Sequence, residues 1–156
     1  FKTGDLGYID EDGYLFLTGR VKEQFKLENG KYVVPGALEE KLKTSPHIEH
    51  AVIFGAGKPY NVVLVRPSDD FVDQFIAQNK GAVDRSNLER DASFNAAVFE
   101  EIQKMGKDFR GYERPQKIAI TLDEFSIDNG LLTPALKLKR YAIEKKYKER
   151  INALYD

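Results

Sequence analysis

The sequence has no cysteine and no tryptophan, a single methionine and only two histidines, His47 and His50. Without cysteine there is no disulfide framework, no thiol nucleophile and no Cys-based zinc site. Two histidines are a poor basis for a metal cluster, so no metal ligands are expected here. Neither sign of charge dominates: 24 Lys+Arg stand against 25 Asp+Glu, a formal net charge of −1. A generic nucleic-acid binder carries a basic excess, so no nucleic-acid partner is expected. No apolar run reaches the roughly 18 residues that a membrane-crossing helix requires. The opening Phe1-Lys2-Thr3 has neither a basic nor an apolar leader segment, so no signal peptide is expected, and a start at Phe1 reads as a cut within something longer. There is no Gly-x-x-x-x-Gly-Lys-Ser/Thr phosphate loop, no Gly-x-Ser-x-Gly elbow and no Ser-His-Asp set at a usable spacing.

What is present is an ordinary globular composition: 156 residues, 42% hydrophobic, 31% charged and 12% aromatic. That length fits one domain, or one domain with an appended piece, and is sufficient for a sizeable core. Two hairpins are expected first. Gly7-Tyr8-Ile9 and Tyr14–Thr18 flank a turn ending in Asp12-Gly13; Gln24–Leu27 and Tyr32–Val34 flank Asn29-Gly30. Pro35 then opens a helix over 35–44, where Leu38 and Leu42 share a face. Residues 48–55 and 60–66 are nearly continuous apolar runs, the pattern of strands covered on both faces. Gly55-Ala56-Gly57-Lys58-Pro59 reads as the tight turn between them.

Ser68-Asp69-Asp70 caps a helix marked by Phe71, Val72, Phe75 and Ile76, and Phe94, Val98, Ile102, Met105 and Phe109 mark a longer one ending near Phe109. Lys117–Ile120 is a third core strand. Thr133-Pro134 is a good cap and first-turn pair for a final helix to about Leu154, with Ile143, Tyr147 and Ile151 on one face. Residues 69–110 hold 6 basic and 9 acidic residues, residues 131–156 hold 7 and 3. The expected architecture is α+β: a small central sheet of about three strands flanked by helices and preceded by two β-hairpins.

Three segments stand out for chemistry: Thr3-Gly4-Asp5-Leu6-Gly7; Gly19–Leu27 with Asn29-Gly30-Lys31 and Val34-Pro35; and Asn129–Arg140, which contains Leu132-Thr133-Pro134 and Lys137-Leu138-Lys139-Arg140. Each alone is weak. In their order and spacing they resemble the C-terminal part of the adenylate-forming enzymes: acyl-CoA synthetases, luciferases and peptide-synthetase adenylation domains. The Leu-Thr-Pro-x-x-Lys form and the long helical stretch 68–110 look most like the long-chain fatty-acid–CoA ligases. The likeness covers nearly the whole chain but only the last quarter or so of a complete enzyme.

The resemblance implies a two-step reaction. A fatty acid and ATP give acyl-adenylate and pyrophosphate; CoA then displaces AMP to give the thioester. It also implies a partition: residues 1–20 as the end of an N-terminal domain, 21–23 as a hinge, and 24–156 as a mobile C-terminal domain. Asp5 matches the ribose-binding carboxylate and Arg20 an arginine that contacts the nucleotide nearby. Lys22 matches the hinge residue, more often Asp in the family. Lys137 matches the lysine that meets the reacting carboxylate and α-phosphate, with Lys139 as the rival, because the glycine that usually precedes this lysine is absent. Lys26 and Gly30 match the hairpin offered to the active site in the thioester step. Mg2+ would be held mainly by the N-terminal domain, which also carries the phosphate loop and acyl tunnel, so this stretch alone is expected to be inactive.

Taken residue by residue without the motif, Asp5 is a turn cap, Arg20, Lys22 and Lys26 are surface cations, Gly30 is the Asn-Gly turn, and Lys137 is a lysine on the face of the last helix. An adenylation domain that loads a carrier protein, and a non-catalytic α+β binding module, are the alternatives. Cytoplasmic placement is expected, with peripheral membrane contact through the basic C-terminal helix as the variant.

Overall fold

The computed structural model describes residues 2–156, with the backbone alone at residues 18 and 19; Phe1, where the first expected hairpin begins, lies outside the described residues. Strands β1 (Asp5–Ile9) and β2 (Leu15–Arg20) pair antiparallel. Their turn is fixed by Asp10, whose Oδ1 accepts the N–H groups of Asp12 (3.0 Å) and Tyr14 (2.8 Å), while Gly13 supplies φ +88°. A single 3-10 turn, Val21–Glu23, leads to β3 (Phe25–Lys26) and β4 (Tyr32–Val33), also antiparallel. This second hairpin is shorter than its apolar pattern predicts. Leu27 N–H still bonds Lys31 O across the hairpin at 2.9 Å, but Glu28 N–H then bonds the Lys58 carbonyl at 2.9 Å instead of extending the ladder.

Helix α1 (Pro35–Lys43) begins with Pro35 at its first turn, where a missing N–H costs nothing, and buries Leu38 and Leu42. The central sheet has strand order β5-β6-β7. Strands β5 (Ile48–Phe54) and β6 (Val62–Pro67) are antiparallel neighbours, and β7 (Lys117–Ile120) pairs parallel to β6. A parallel pair needs a crossover. Here it is α2 (Asp69–Gln78), the 3-10 turn Leu88–Arg90 and α3 (Ala92–Met105). Ser68 and Asp91 cap the two helices by accepting the N–H groups of Phe71 (3.3 Å) and Phe94 (2.8 Å).

Side chains alternate along a strand, and this sheet is covered twice. One face (Ala51, Ile53, Val63, Val65, Ile120) packs on α1, α2 and α3 through Leu38, Leu42, Val72, Phe94, Val98 and Ile102. The other (Val52, Phe54, Val62, Leu64) packs on Phe125, Leu131, Leu132, Ile143, Tyr147 and Ile151. Burial on both sides is why β5 and β6 read as unbroken apolar runs.

Two sequence expectations are corrected. Helix α3 stops at Met105; Gly106 donates back to Ile102 O at 2.9 Å and Phe109 N–H then bonds Gly106 O at 3.0 Å, a separate turn. The last helix does not start at Thr133-Pro134. Pro134 instead sits second in a β-turn closed by Leu136 N–H on Thr133 O (2.8 Å), a place that suits its fixed φ equally well. Leu132 and Leu138 form a bridge, so residues 131–139 make a small loop clasped at its base. Helix only begins at α4 (Arg140–Lys146), followed by α5 (Lys148–Asn152) and the 3-10 turn Ala153–Tyr155.

Candidate functional site

Asp5, Arg20, Lys22 and Lys137 all line one open groove of about 1200 Å3, walled by the end of the β1–β2 hairpin, α1, the tip of β5 and the 131–139 loop. Asp5 and Arg20 are cross-strand partners, and Arg20 Nε lies 3.5 Å from Asp5 Oδ1. The ladder shifts register between Leu6 and Gly7. Such an irregularity re-aims neighbouring side chains. The pair is loosely closed: the Arg20 side chain is 65% exposed and that of Asp5 31%. Carboxylate and guanidinium therefore both keep hydrogen-bonding capacity for a third group. Lys22 sits in the middle of the 3-10 turn that joins this hairpin to the rest.

Lys137 is exposed at the rim of its loop. Its N–H is held by Thr133 Oγ1 at 3.1 Å and its carbonyl accepts from Thr133 N–H at 2.8 Å. Leu136 before it has φ +58°, the left-handed region that bulky residues avoid. Lys139 is also exposed, yet it is not among the residues lining the groove; its N–H closes the loop base on Leu131 O at 2.9 Å. The geometry thus sets the two lysines apart. Lys137 is a loop residue, not the helix-face lysine expected without the motif.

Lys26 and Gly30 are not brought into this groove. They are neighbours on the β3–β4 hairpin, where Lys26 Nζ stands 5.8 Å from the Tyr32 ring centroid and Gly30 has φ +85°. A Cβ on Gly30 would stand 3.7 Å from Lys26 Cε, so both offer a small exposed surface apart from the other residues.

Four groove residues went unassigned from sequence. Glu39, on α1, takes both its oxygens to Arg140 Nη2 (2.7 Å each), and burial raises its pKa against the opposing pull of that arginine. Arg140 was visible as the last residue of the Lys137-Leu138-Lys139-Arg140 run, but nothing local signals its partner 101 residues away. His50, on β5, has its pKa pushed down to about 4 by burial, with Lys43 and Arg66 adding to the effect. Its ring stacks on Phe125 at 5.2 Å, and its Nδ1 is buried without a hydrogen-bond partner. At the groove's floor Gly55 permits a close approach: a Cβ there would collide with Asn61 Oδ1 and come within 3.0 Å of the Phe25 ring. Asn61 in turn fixes the loop before β7 by donating to Tyr112 O and Glu113 O.

Among the described residues no group of three or more His, Asp or Glu is placed to hold a metal ion, and no helix is long and apolar enough to cross a membrane.

Residues 22–156 match the family profile described as AMP-binding enzyme C-terminal domain. The long-chain-fatty-acid–CoA ligase FadD15 of Mycobacterium tuberculosis is 34% identical over 158 residues, an alignment spanning 100% of this chain and 26% of that protein. The chain thus spans about a quarter of the length of this curated relative. Among solved structures, the adenylation domain of a carboxylate reductase from Mycobacterium chelonae superposes with a TM-score of 0.80 at 24% identity, over 99% of this chain and 23% of that one. The adenylation–carrier didomain of a carboxylic acid reductase from Segniliparus rugosus, in complex with AMP, gives 0.78 at 27% identity over 98% and 20%. The match to the first of these is a match of fold, an α+β arrangement as expected.

Proposed function

Because the chain belongs to the AMP-binding enzyme C-terminal domain family, we propose that it is the C-terminal domain of an ATP-dependent long-chain fatty-acid–CoA ligase. The observation that carries this reading is the convergence of Lys137 with the Asp5–Arg20 pair on one groove. In the first step two anions, the fatty-acid carboxylate and the α-phosphate, must approach each other. An ammonium on an exposed loop offsets their repulsion and the charge that develops at phosphorus. The Asp5 carboxylate accepts from the ribose hydroxyls and the Arg20 fork holds the nucleotide beside it. Pyrophosphate leaves and acyl-adenylate remains.

For the second step the CoA thiol must reach the same carbonyl, and AMP leaves. Lys137 is not needed there, whereas the β3–β4 hairpin with Lys26 and Gly30 is a surface that a turn about Lys22 could present in its place. Residues 1–20 then belong with an N-terminal domain, 21–23 act as hinge, and 24–156 form the mobile domain. Mg2+ would enter with ATP and be held mainly by the N-terminal domain, so no step here is assigned to it. We place the enzyme in the cytoplasm.

The test is a pair of variants in the full-length enzyme. Lys137→Ala should lower fatty-acid-dependent pyrophosphate release by about a hundredfold or more while supplied acyl-adenylate is still converted to acyl-CoA. If Lys139→Ala does this instead, the lysine is misassigned.

A second reading has one observation in its favour. The didomain with a carrier superposes over nearly the whole chain, so the acceptor thiol could sit on a carrier protein. Offering free CoA and a phosphopantetheinylated carrier side by side separates the two.

A further inference from the structure

Strand β5 is an edge of the sheet, and edges leave backbone groups without a ladder partner. Ile53 is such a position, and its two backbone groups are taken up by one ion pair. Its N–H donates to Glu39 Oε1 at 2.7 Å, and its carbonyl accepts from Arg140 Nη1 at 2.8 Å. Arg140 Nη2 completes the ring on both oxygens of Glu39. The Glu39 side chain is 9% exposed, the Arg140 side chain 30%. The arrangement ties α1, β5 and the first residue of α4 at a single point, on the wall of the groove that Lys137 also lines.

Between Arg140 and Lys137 lie only Leu138 and Lys139, and both are immobilised, the first by its bridge to Leu132 and the second by its N–H on Leu131 O. Residues 131–139 are thus one clasped unit, and the anchorage of Arg140 at its end fixes where that unit stands against α1 and β5. A buried ion pair adds little net stability over a well-packed apolar pair of the same volume. Its directional fork, however, fixes register in a way that an apolar contact does not. We infer that Glu39 and Arg140 are positioning residues for Lys137: their ion pair on the edge of β5 sets where the ammonium stands in the groove. The inference rests on the proposed role of Lys137 in adenylate formation, and it confines the effect of the pair to that step.

The experiment uses the full-length enzyme and three changes: Glu39→Gln, Arg140→Lys, and the double apolar replacement Glu39→Met/Arg140→Leu. The double variant leaves no buried charge unpaired, although the N–H and C=O of Ile53 then lose their partners. Each is assayed for pyrophosphate release with its KM for ATP, for thioester formation from supplied acyl-adenylate, and for its thermal midpoint. Lys137→Ala is carried alongside. The expected result is a fall in kcat for pyrophosphate release of about ten- to a hundredfold, with KM for ATP and thioester formation within about twofold of the parent. In the double variant adenylation stays low even though the melting midpoint recovers relative to the single changes. A purely structural pair gives another pattern, in which both half-reactions fall together or adenylation recovers with stability in the double variant; either result overturns the inference. If Lys137→Ala itself leaves adenylation untouched, the role of the lysine fails, and the positioning role fails with it. If Lys137→Ala is crippling but the three changes are silent, the positioning role alone is wrong.

Discussion

At the scale of single residues, the groove concentrates several unusual choices. Leu136 holds φ +58° directly before Lys137. Glycine takes this conformation freely, and it is glycine that commonly precedes the lysine in the family the motif resembles. Gly55 is constrained more tightly, because any Cβ would press on Asn61, Phe25 and Leu27. Gly55→Ala should destabilise the chain by about 1–3 kcal/mol, the usual range for forcing a methyl into a filled space; urea denaturation would show it, and an unchanged midpoint would mean that the turn relaxes at no cost. His50 makes a prediction in pH. Its ordinary pKa of 6.5 holds in the unfolded chain, and in the fold it is pushed down to about 4. Between those values the unfolded chain binds a proton that the folded chain refuses. This contribution to stability is therefore complete above the upper value and is lost as pH falls toward the lower. His50→Phe retains the stacking surface on Phe125 and has no proton to take up. Against this variant, and allowing for the solvent screening of a ring that is only partly buried, the parent should lose on the order of 1–2 kcal/mol on going from about pH 7.5 to about pH 4.5. Parallel stability curves for the two chains would show that the ring is not the titrating group.

At the scale of elements, legibility followed the range of the forces involved. Ser68 and the helix it starts could be read directly, because a cap is a contact between near neighbours; Ser68→Ala should cost about 1 kcal/mol, and a change under a few tenths by thermal melting would mean that the helix start is held by packing on Phe71 instead. Strands β5 and β6 were equally clear, since burial on two faces leaves an apolar run that needs no partner to be recognised. What could not be read was settled at a distance. Thr133-Pro134 suits a helix start and a β-turn alike, and the choice fell to the bridge between Leu132 and Leu138 and to the anchorage of Arg140 on Glu39, a contact spanning 101 residues. The same holds for the groove. Asp5, Arg20, Lys22 and Lys137 were singled out by motif; that they share one wall with Glu39 and His50 is a product of tertiary packing.

At the scale of the whole molecule, the two cores lie on opposite faces of one three-stranded sheet, and every element from α1 onward feeds one of them. Among the described side chains, the β1–β2 hairpin feeds neither. Tyr8, Ile9, Tyr14, Leu15 and Leu17 are each more than half exposed, and the one aromatic pair there, Tyr8 on Phe16 at 5.2 Å, is internal to the hairpin. Apolar side chains that stay in water contribute nothing to the burial that stabilises the fold. The Asp5–Arg20 contact is likewise an exposed pair, and such pairs contribute little. The hairpin should therefore be separable from the rest in energy although it completes the groove in space. A chain shortened to residues 21–156 should melt within a few degrees of the parent, a shift equivalent to about 1 kcal/mol or less, with its far-ultraviolet spectrum reduced only by the lost strands. Restoring the hairpin should change groove-dependent nucleotide binding far more than the melting midpoint. A drop of ten degrees or more on truncation, about 3 kcal/mol or more at this size, would instead make the hairpin part of the folding unit, and the boundary proposed at residues 21–23 would have to move toward the N-terminus.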